Sequence, residues 1–225
     1  MKILWGMGLT DGSGSVGGNT ASRNRGGSYM RRKGQPTNPD TIPQQAARAI
    51  LSAFAQAWRG LTQAQRDAWE AATSNFPFSD RLGQSRLLSG SQLYTKLNSM
   101  LASVGQAPIT SPPIPSAIPS ASVGTVVVDL SGPTYTAVYS PPGAGFTTQL
   151  WATPPVSPGI NYVKNLYKQI DAVAGTTVSP IDFESAYNAV FGVPPLGTKI
   201  FVKTVVVQNA SGLSSAGSTS STIVV

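Results

Sequence analysis

The chain has 225 residues, enough for one large domain or two small ones, and carries 16 lysines and arginines against 9 acids for a formal net charge of +7. It contains neither cysteine nor histidine. Those absences exclude disulfides, thiolate metal sites, the commonest general base and the Ser-His and Cys-His nucleophile pairs. The remaining acids are scattered, so the expectation is a protein that is not an enzyme and needs no cofactor or metal. All of the net charge lies in residues 1 to 105, an imbalance typical of a segment that meets a polyanion or an assembly partner. The opening MKILWGMGLT lacks the long apolar run of a signal peptide, and no stretch approaches a membrane span. A soluble product made in a cytoplasm, with no membrane partner, is expected.

Residues 1–40 form a basic, glycine-rich arm, with Gly6, Gly8, Gly12, Gly14, Gly17, Gly18, Gly26, Gly27 and Gly34. This much glycine cannot support a helix, and the apolar content is thin, so an extended or disordered arm is expected. Its basic residues gather late, at Arg23, Arg25, Arg31, Arg32 and Lys33, around Tyr29 and Met30. The glycines Gly12, Gly14, Gly17 and Gly18 lack the lysine and the following helix of a phosphate-binding loop.

Residues 41–105 read as a helical module of three helices. Thr41 and Gln44 have capping-box spacing, and Ala47, Ile50, Leu51, Phe54 and Trp58 follow at helical periodicity up to Gly60. Thr62 and Gln65 repeat the box before Trp69. Ser91 is the expected cap of a third helix, with Leu93, Tyr94, Leu97, Met100, Leu101 and Val104 on one face and Gly105 as its stop. Residues 106–121, QAPITSPPIPSAIPSA, form a proline-rich linker expected to be an extended, semi-rigid spacer.

Residues 122–225 read as all-β. The expected strands are Thr125–Asp129, Thr134–Tyr139, Thr147–Thr153, Tyr162–Ile170, Lys199–Gln208 and Thr219–Val225, with a short helix within residues 179–192. That size and strand number suit an immunoglobulin-like β-sandwich. Ile200, Val202, Thr204 and Val206 make the inward face of the longest strand. Trp151 is expected in the sandwich core, with an exposed sugar-stacking aromatic as the alternative. The fold class is therefore α+β and multi-segment.

Two resemblances sharpen this. Tyr139-Ser140-Pro141-Pro142, and Lys199 to Val207 followed by Gln208-Asn209-Ala210-Ser211-Gly212-Leu213-Ser214-Ser215, resemble a fibronectin type III domain, although that family usually has Trp where Tyr139 stands. In the N-terminal half the pattern runs Gly12-Ser13-Gly14 with Val16-Gly17, then Arg25-Gly26-Gly27-Ser28-Tyr29-Met30-Arg31, then Pro36-Thr37-Asn38-Pro39-Asp40-Thr41. It continues through Trp58, Leu61-Thr62, Gln65-Arg66, Trp69 and Ser89-Gly90-Ser91-Gln92-Leu93-Tyr94. Over roughly residues 8 to 104 it resembles an uncharacterised family of phage and prophage virion structural proteins.

That resemblance implies a bacteriophage virion structural protein located in the virion. The expected form is a capsid-associated minor or decoration protein that anchors by arm and helices and displays the sandwich. The alternatives are a tail or head-fibre component binding a host receptor or glycan through the sandwich, and a virion-internal nucleic-acid-binding protein using the basic arm. The expected partners are a major capsid protein or other virion subunits and further copies of the chain, with packaged nucleic acid as a further candidate. The docking residues would be Arg23, Arg25, Tyr29, Arg31, Arg32 and Lys33, and the helical anchors Phe54, Trp58, Trp69, Tyr94 and Leu97. Asp67 and Glu70, one helical turn apart, are expected on a solvated face, and Asp182 and Glu184 at the start of the short helix.

Overall fold

The computed structural model describes residues 13–24, 27–34, 38–79, 85–132 and 134–225. The chain divides into two compact units, Met1–Gln45 and Ala46–Val225.

In the first unit, β1 (Gly14–Val16), β2 (Asn19–Asn24) and β3 (Gly27–Arg32) form an antiparallel sheet in that order. The arm, expected to be extended or disordered, is extended over these strands and paired into a sheet. Glycine rules out a helix here, yet Gly17-Gly18 is also a favoured two-residue hairpin loop, and Gly17 takes φ +54 between the paired Val16 and Asn19. Strand pairing then satisfies the backbone groups that a bare arm would leave to water.

Helix α1 (Ile42–Gly60) begins with half of the expected box, the Thr41 amide donating to Gln44 Oε1 at 3.4 Å. Helix α2 (Gln63–Ala72) has the complete box: Gln65 N–H donates to Thr62 Oγ1 at 3.3 Å, and Thr62 N–H donates to Gln65 Oε1 at 2.9 Å. A short pairing of β4 (Phe78–Ser79) and β5 (Ser85–Arg86) leads to helix α3 (Gly90–Ser103). The cap of α3 is Ser89, not Ser91. Ser89 and Gln92 form the reciprocal box, which places Ser91 inside the first turn. The helix ends in a Schellman motif, with Gly105 N–H donating to Ala102 O and Gln106 N–H to Leu101 O.

Residues 106–121 carry no helix or strand, but they are tied to the fold at both ends. The fully buried Asn98 accepts from Ile109 N–H at 2.7 Å and donates to the Ile109 carbonyl at 3.2 Å. The Trp69 indole donates to Thr110 O, and Thr204 Oγ1 donates to Ala121 O at 2.6 Å. Proline removes backbone donors but leaves carbonyls, and in three of these four hydrogen bonds a carbonyl is met by a side-chain donor.

The remaining strands are β6 (Val123–Asp129), β7 (Thr134–Tyr139), β8 (Phe146–Ala152), β9 (Lys168–Ala174), β10 (Ile181–Asp182), β11 (Lys199–Gln208) and β12 (Ser218–Ile223). They form two antiparallel sheets, ordered β10-β7-β6 and β12-β11-β8-β9. One core cluster joins both: Val126, Val128, Tyr135 and Ala137 from the first meet Leu150, Ala152, Ile200 and Val202 from the second. Helix α4 (Glu184–Phe191) contributes Tyr187, which with Phe183 stacks around Tyr135 and donates from its hydroxyl to Thr153 O. The Asp182 carboxylate accepts from Glu184 N–H at 3.0 Å at the start of that helix. In β11, Ile200, Val202, Thr204 and Val206 are all buried, while Phe201, Lys203 and Val205 between them are only partly so. The strand expected at Tyr162–Ile170 starts six residues later, because Val163 and Leu166 close a turn in which Leu166 N–H donates to Val163 O.

Helix α3 packs on the outward face of the four-stranded sheet. Gln149 donates to Ser103 Oγ at 2.7 Å, and Gln169 donates to Ser103 O at 3.0 Å. Gly212, at φ +71, passes so close to α3 that a Cβ there would overlap the Leu97 carbonyl oxygen. Only glycine tolerates both that conformation and that approach.

Candidate functional site

Helical spacing puts Ile50, Leu51, Phe54 and Trp58 on one side of α1, and the Thr62 box turns the chain back so that α2 and α3 meet that side. Phe54, Trp58 and Trp69 all converge on Tyr94, with ring centroids 6.3, 5.5 and 5.4 Å away. Leu61 and Leu97 complete the cluster. Its members differ in exposure. Trp69, Tyr94 and Leu97 are buried, whereas Phe54 and Trp58 are half-buried and no residue of α1 is buried. Burial of Tyr94 pushes its phenol above the ordinary value. All five expected helical anchors therefore share one cluster, and α1 is its outer wall.

Between α1 and α3 lies an open groove of about 500 Å³. Leu51, Ala55 and Trp58 come from α1, Thr95 faces them from α3, and Arg59 and Lys96 add the charge. None of its lining residues is acidic. Arg66, which is not part of this lining, donates to the Arg59 carbonyl at 2.6 Å. The pattern of apolar residues marks Leu51 and Trp58, but no local signal shows that Arg59 and Lys96 meet at one groove.

Among the described residues of the first unit, Arg23, Arg31 and Arg32 do not share one face. Cross-strand pairs share a face, so Thr20 opposite Arg31 and Ser22 opposite Tyr29 put Tyr29 and Arg31 on one side of the sheet. Arg23 opposite Ser28 and Arg32 opposite Asn19 fall on the other. Arg31, Arg32 and Lys33 are exposed, and Lys33 N–H donates to Gly18 O. Arg25 lies outside the described residues.

Trp151 is not in the core between the sheets. Leu150 and Ala152 point inward, so alternation sends Trp151 to the opposite face, directly across from Lys203 on β11. The Lys203 ammonium sits 4.9 Å from the Trp151 ring and 5.0 Å from that of Tyr167, whose phenol burial raises above its ordinary value. Trp151 Nε1 donates to Gln149 Oε1 at 3.3 Å, in a recess of about 230 Å³ that also includes Met100 and Gln169. Sequence reasoning missed Lys203, although its place opposite Trp151 follows once the two strands are paired.

Asp67 and Glu70 do not form a dyad. Asp67 accepts from Gln63 Nε2 on its own helix, while Glu70 reaches across to accept from Gly90 N–H at the start of α3, where a carboxylate is favoured. Among the described residues no group of three or more acidic, histidine or cysteine side chains is arranged to hold a metal. No helix among them is long and apolar enough to cross a membrane. Comparison with protein-family models, curated proteins and solved structures gives no match for this chain.

Proposed function

We propose that this chain is a structural protein of a bacteriophage particle, a minor or decoration protein associated with the capsid. Its N-terminal segment and helices attach to neighbouring subunits, and its two-sheet region is displayed. The observation that carries this reading is α1: a 19-residue helix with no buried residue, whose apolar side exposes Ile50 and Leu51 and half-exposes Phe54 and Trp58. Such a face is unfinished without a neighbour. The resemblance of residues roughly 8 to 104 to phage virion proteins supports a phage particle as that assembly. We further propose that residues 122–225 are an immunoglobulin-like sandwich of fibronectin type III type. Three- and four-stranded antiparallel sheets sharing one core support it, as does the alternation of β11. The contacts of α3 with Gln149 and Gln169 on the outward sheet face, and with the turn at Gly212, support a sandwich carried on its helices.

One observation favours a second reading, a fibre-like component binding a host glycan: Trp151 faces outward beside a recess instead of filling the core. Binding of the full chain to a glycan array, lost on Trp151→Ala, would favour it.

Limited trypsin digestion tests the leading reading. Cleavage after the exposed Arg31, Arg32 and Lys33 is expected in the purified chain and strongly suppressed in intact particles. Equal cleavage in both states would remove the anchoring role of this segment.

A further inference from the structure

We infer that the groove between α1 and α3 receives an apolar segment flanked by acidic residues, presented by a different protein of the same particle. This rests on the reading of the helices as an attachment surface and names the chemistry of what they attach to. Leu51, Ala55 and Trp58 line α1 at helical spacing along one stripe, the anchor arrangement that receives a helical segment laid lengthwise. An aromatic next to arginine, here Trp58-Arg59, is the composition of an energetic hot spot. The volume of about 500 Å³ is filled by several side chains, not by one.

Charge chooses the occupant. Arg59 and Lys96 lie in the groove. No acidic residue lines the groove to neutralise them. A second copy meeting groove to groove would set Arg59 and Lys96 against their own likeness, in a chain already at +7. A partner bearing Asp or Glu on either side of an apolar stripe instead supplies those cations with acceptors at the rim, while its apolar residues cover Leu51 and Trp58.

The test uses the full chain within its particle. A photo-crosslinking residue replaces the exposed Ala55, and purified particles are irradiated and mapped by mass spectrometry. In parallel, Arg59→Glu with Lys96→Glu, and separately Leu51→Asp, are measured for incorporation into particles. A crosslink to an apolar, acid-flanked segment of another particle protein, with incorporation lowered tenfold or more by both variants while their melting temperatures hold, is the expected result. Crosslinks to another copy of this chain, to nucleic acid or to nothing, or incorporation unchanged by charge reversal, overturn the groove assignment and leave the structural role standing. Absence of the chain from purified particles overturns the structural role and the groove with it.

Discussion

Gly212→Ala separates the contact between helix and sheet from every other feature of the fold. Gly212 and Gly197 both have positive φ, +71 and +74. A Cβ at Gly197 meets nothing within 4 Å, whereas one at Gly212 would overlap the Leu97 carbonyl oxygen and lie 3.1 Å from Leu101 Cγ. Gly197→Ala therefore costs only the left-handed backbone penalty, about 1–2 kcal/mol. Gly212→Ala costs the same penalty plus the displacement of α3 from the sheet. Overpacking of that kind costs about 1–3 kcal/mol. For a chain of this size the extra ~2 kcal/mol lowers the melting temperature by about 4–8 °C relative to Gly197→Ala. Thermal unfolding of the two variants beside the parent measures the difference directly. Equal melting temperatures would show that α3 does not bear on Gly212 and would refute the fixed mounting of helices on the sheet.

Asn98→Ala strips both backbone groups of Ile109 of their partner and should cost about 2–3 kcal/mol, with faster proteolysis within residues 106–121. Ser89→Ala should destabilise by about 1 kcal/mol in denaturant titration, while Ser91→Ala should cost a few tenths at most, about 0.5 kcal/mol; the reverse order would contradict the assigned cap. Stability should vary with pH mainly at the alkaline end. Burial raises the phenols of Tyr135, Tyr139 and Tyr187. They stay neutral in the fold at pH values where the unfolded chain ionises them, above about 10. Their contribution is therefore complete below pH ~10 and lost as the pH rises toward their folded values. With no histidine, denaturant midpoints should be flat from about pH 6 to 9.

Local patterns carried much of this fold. The stripe from Ile50 to Trp58, the Thr62 box and the alternation of β11 each express one element's period, so each is legible without a partner. The extended backbone of the arm is legible in its glycines, but the pairing is not: Gly17-Gly18 is a hairpin signal only once the flanking segments are known to pair. Ser89 and Ser91 compete for the cap of α3, and the reciprocal bonds with Gln92 decide for Ser89. Trp151 is expected in the core, but alternation with Leu150 sends it to the other face. The mounting of α3 on the sheet had no local signature. It depends on Gly212, Gln149 and Ser103, which are far apart in sequence and ordinary in composition. The candidate site divides the same way. Phe54, Trp58, Trp69, Tyr94 and Leu97 follow from periodicity, while the meeting of Arg59 with Lys96 depends on how α1 and α3 pack.

The most direct test of the proposed structural role is a reconstruction of purified particles of the phage proposed to carry this chain. The predicted result is density for residues 46–105 seated against neighbouring subunits, with the α1 groove covered and the two sheets of residues 122–225 projecting away. Particles that lack the chain, or that hold its sheets inward with α1 bare to solvent, would contradict the account.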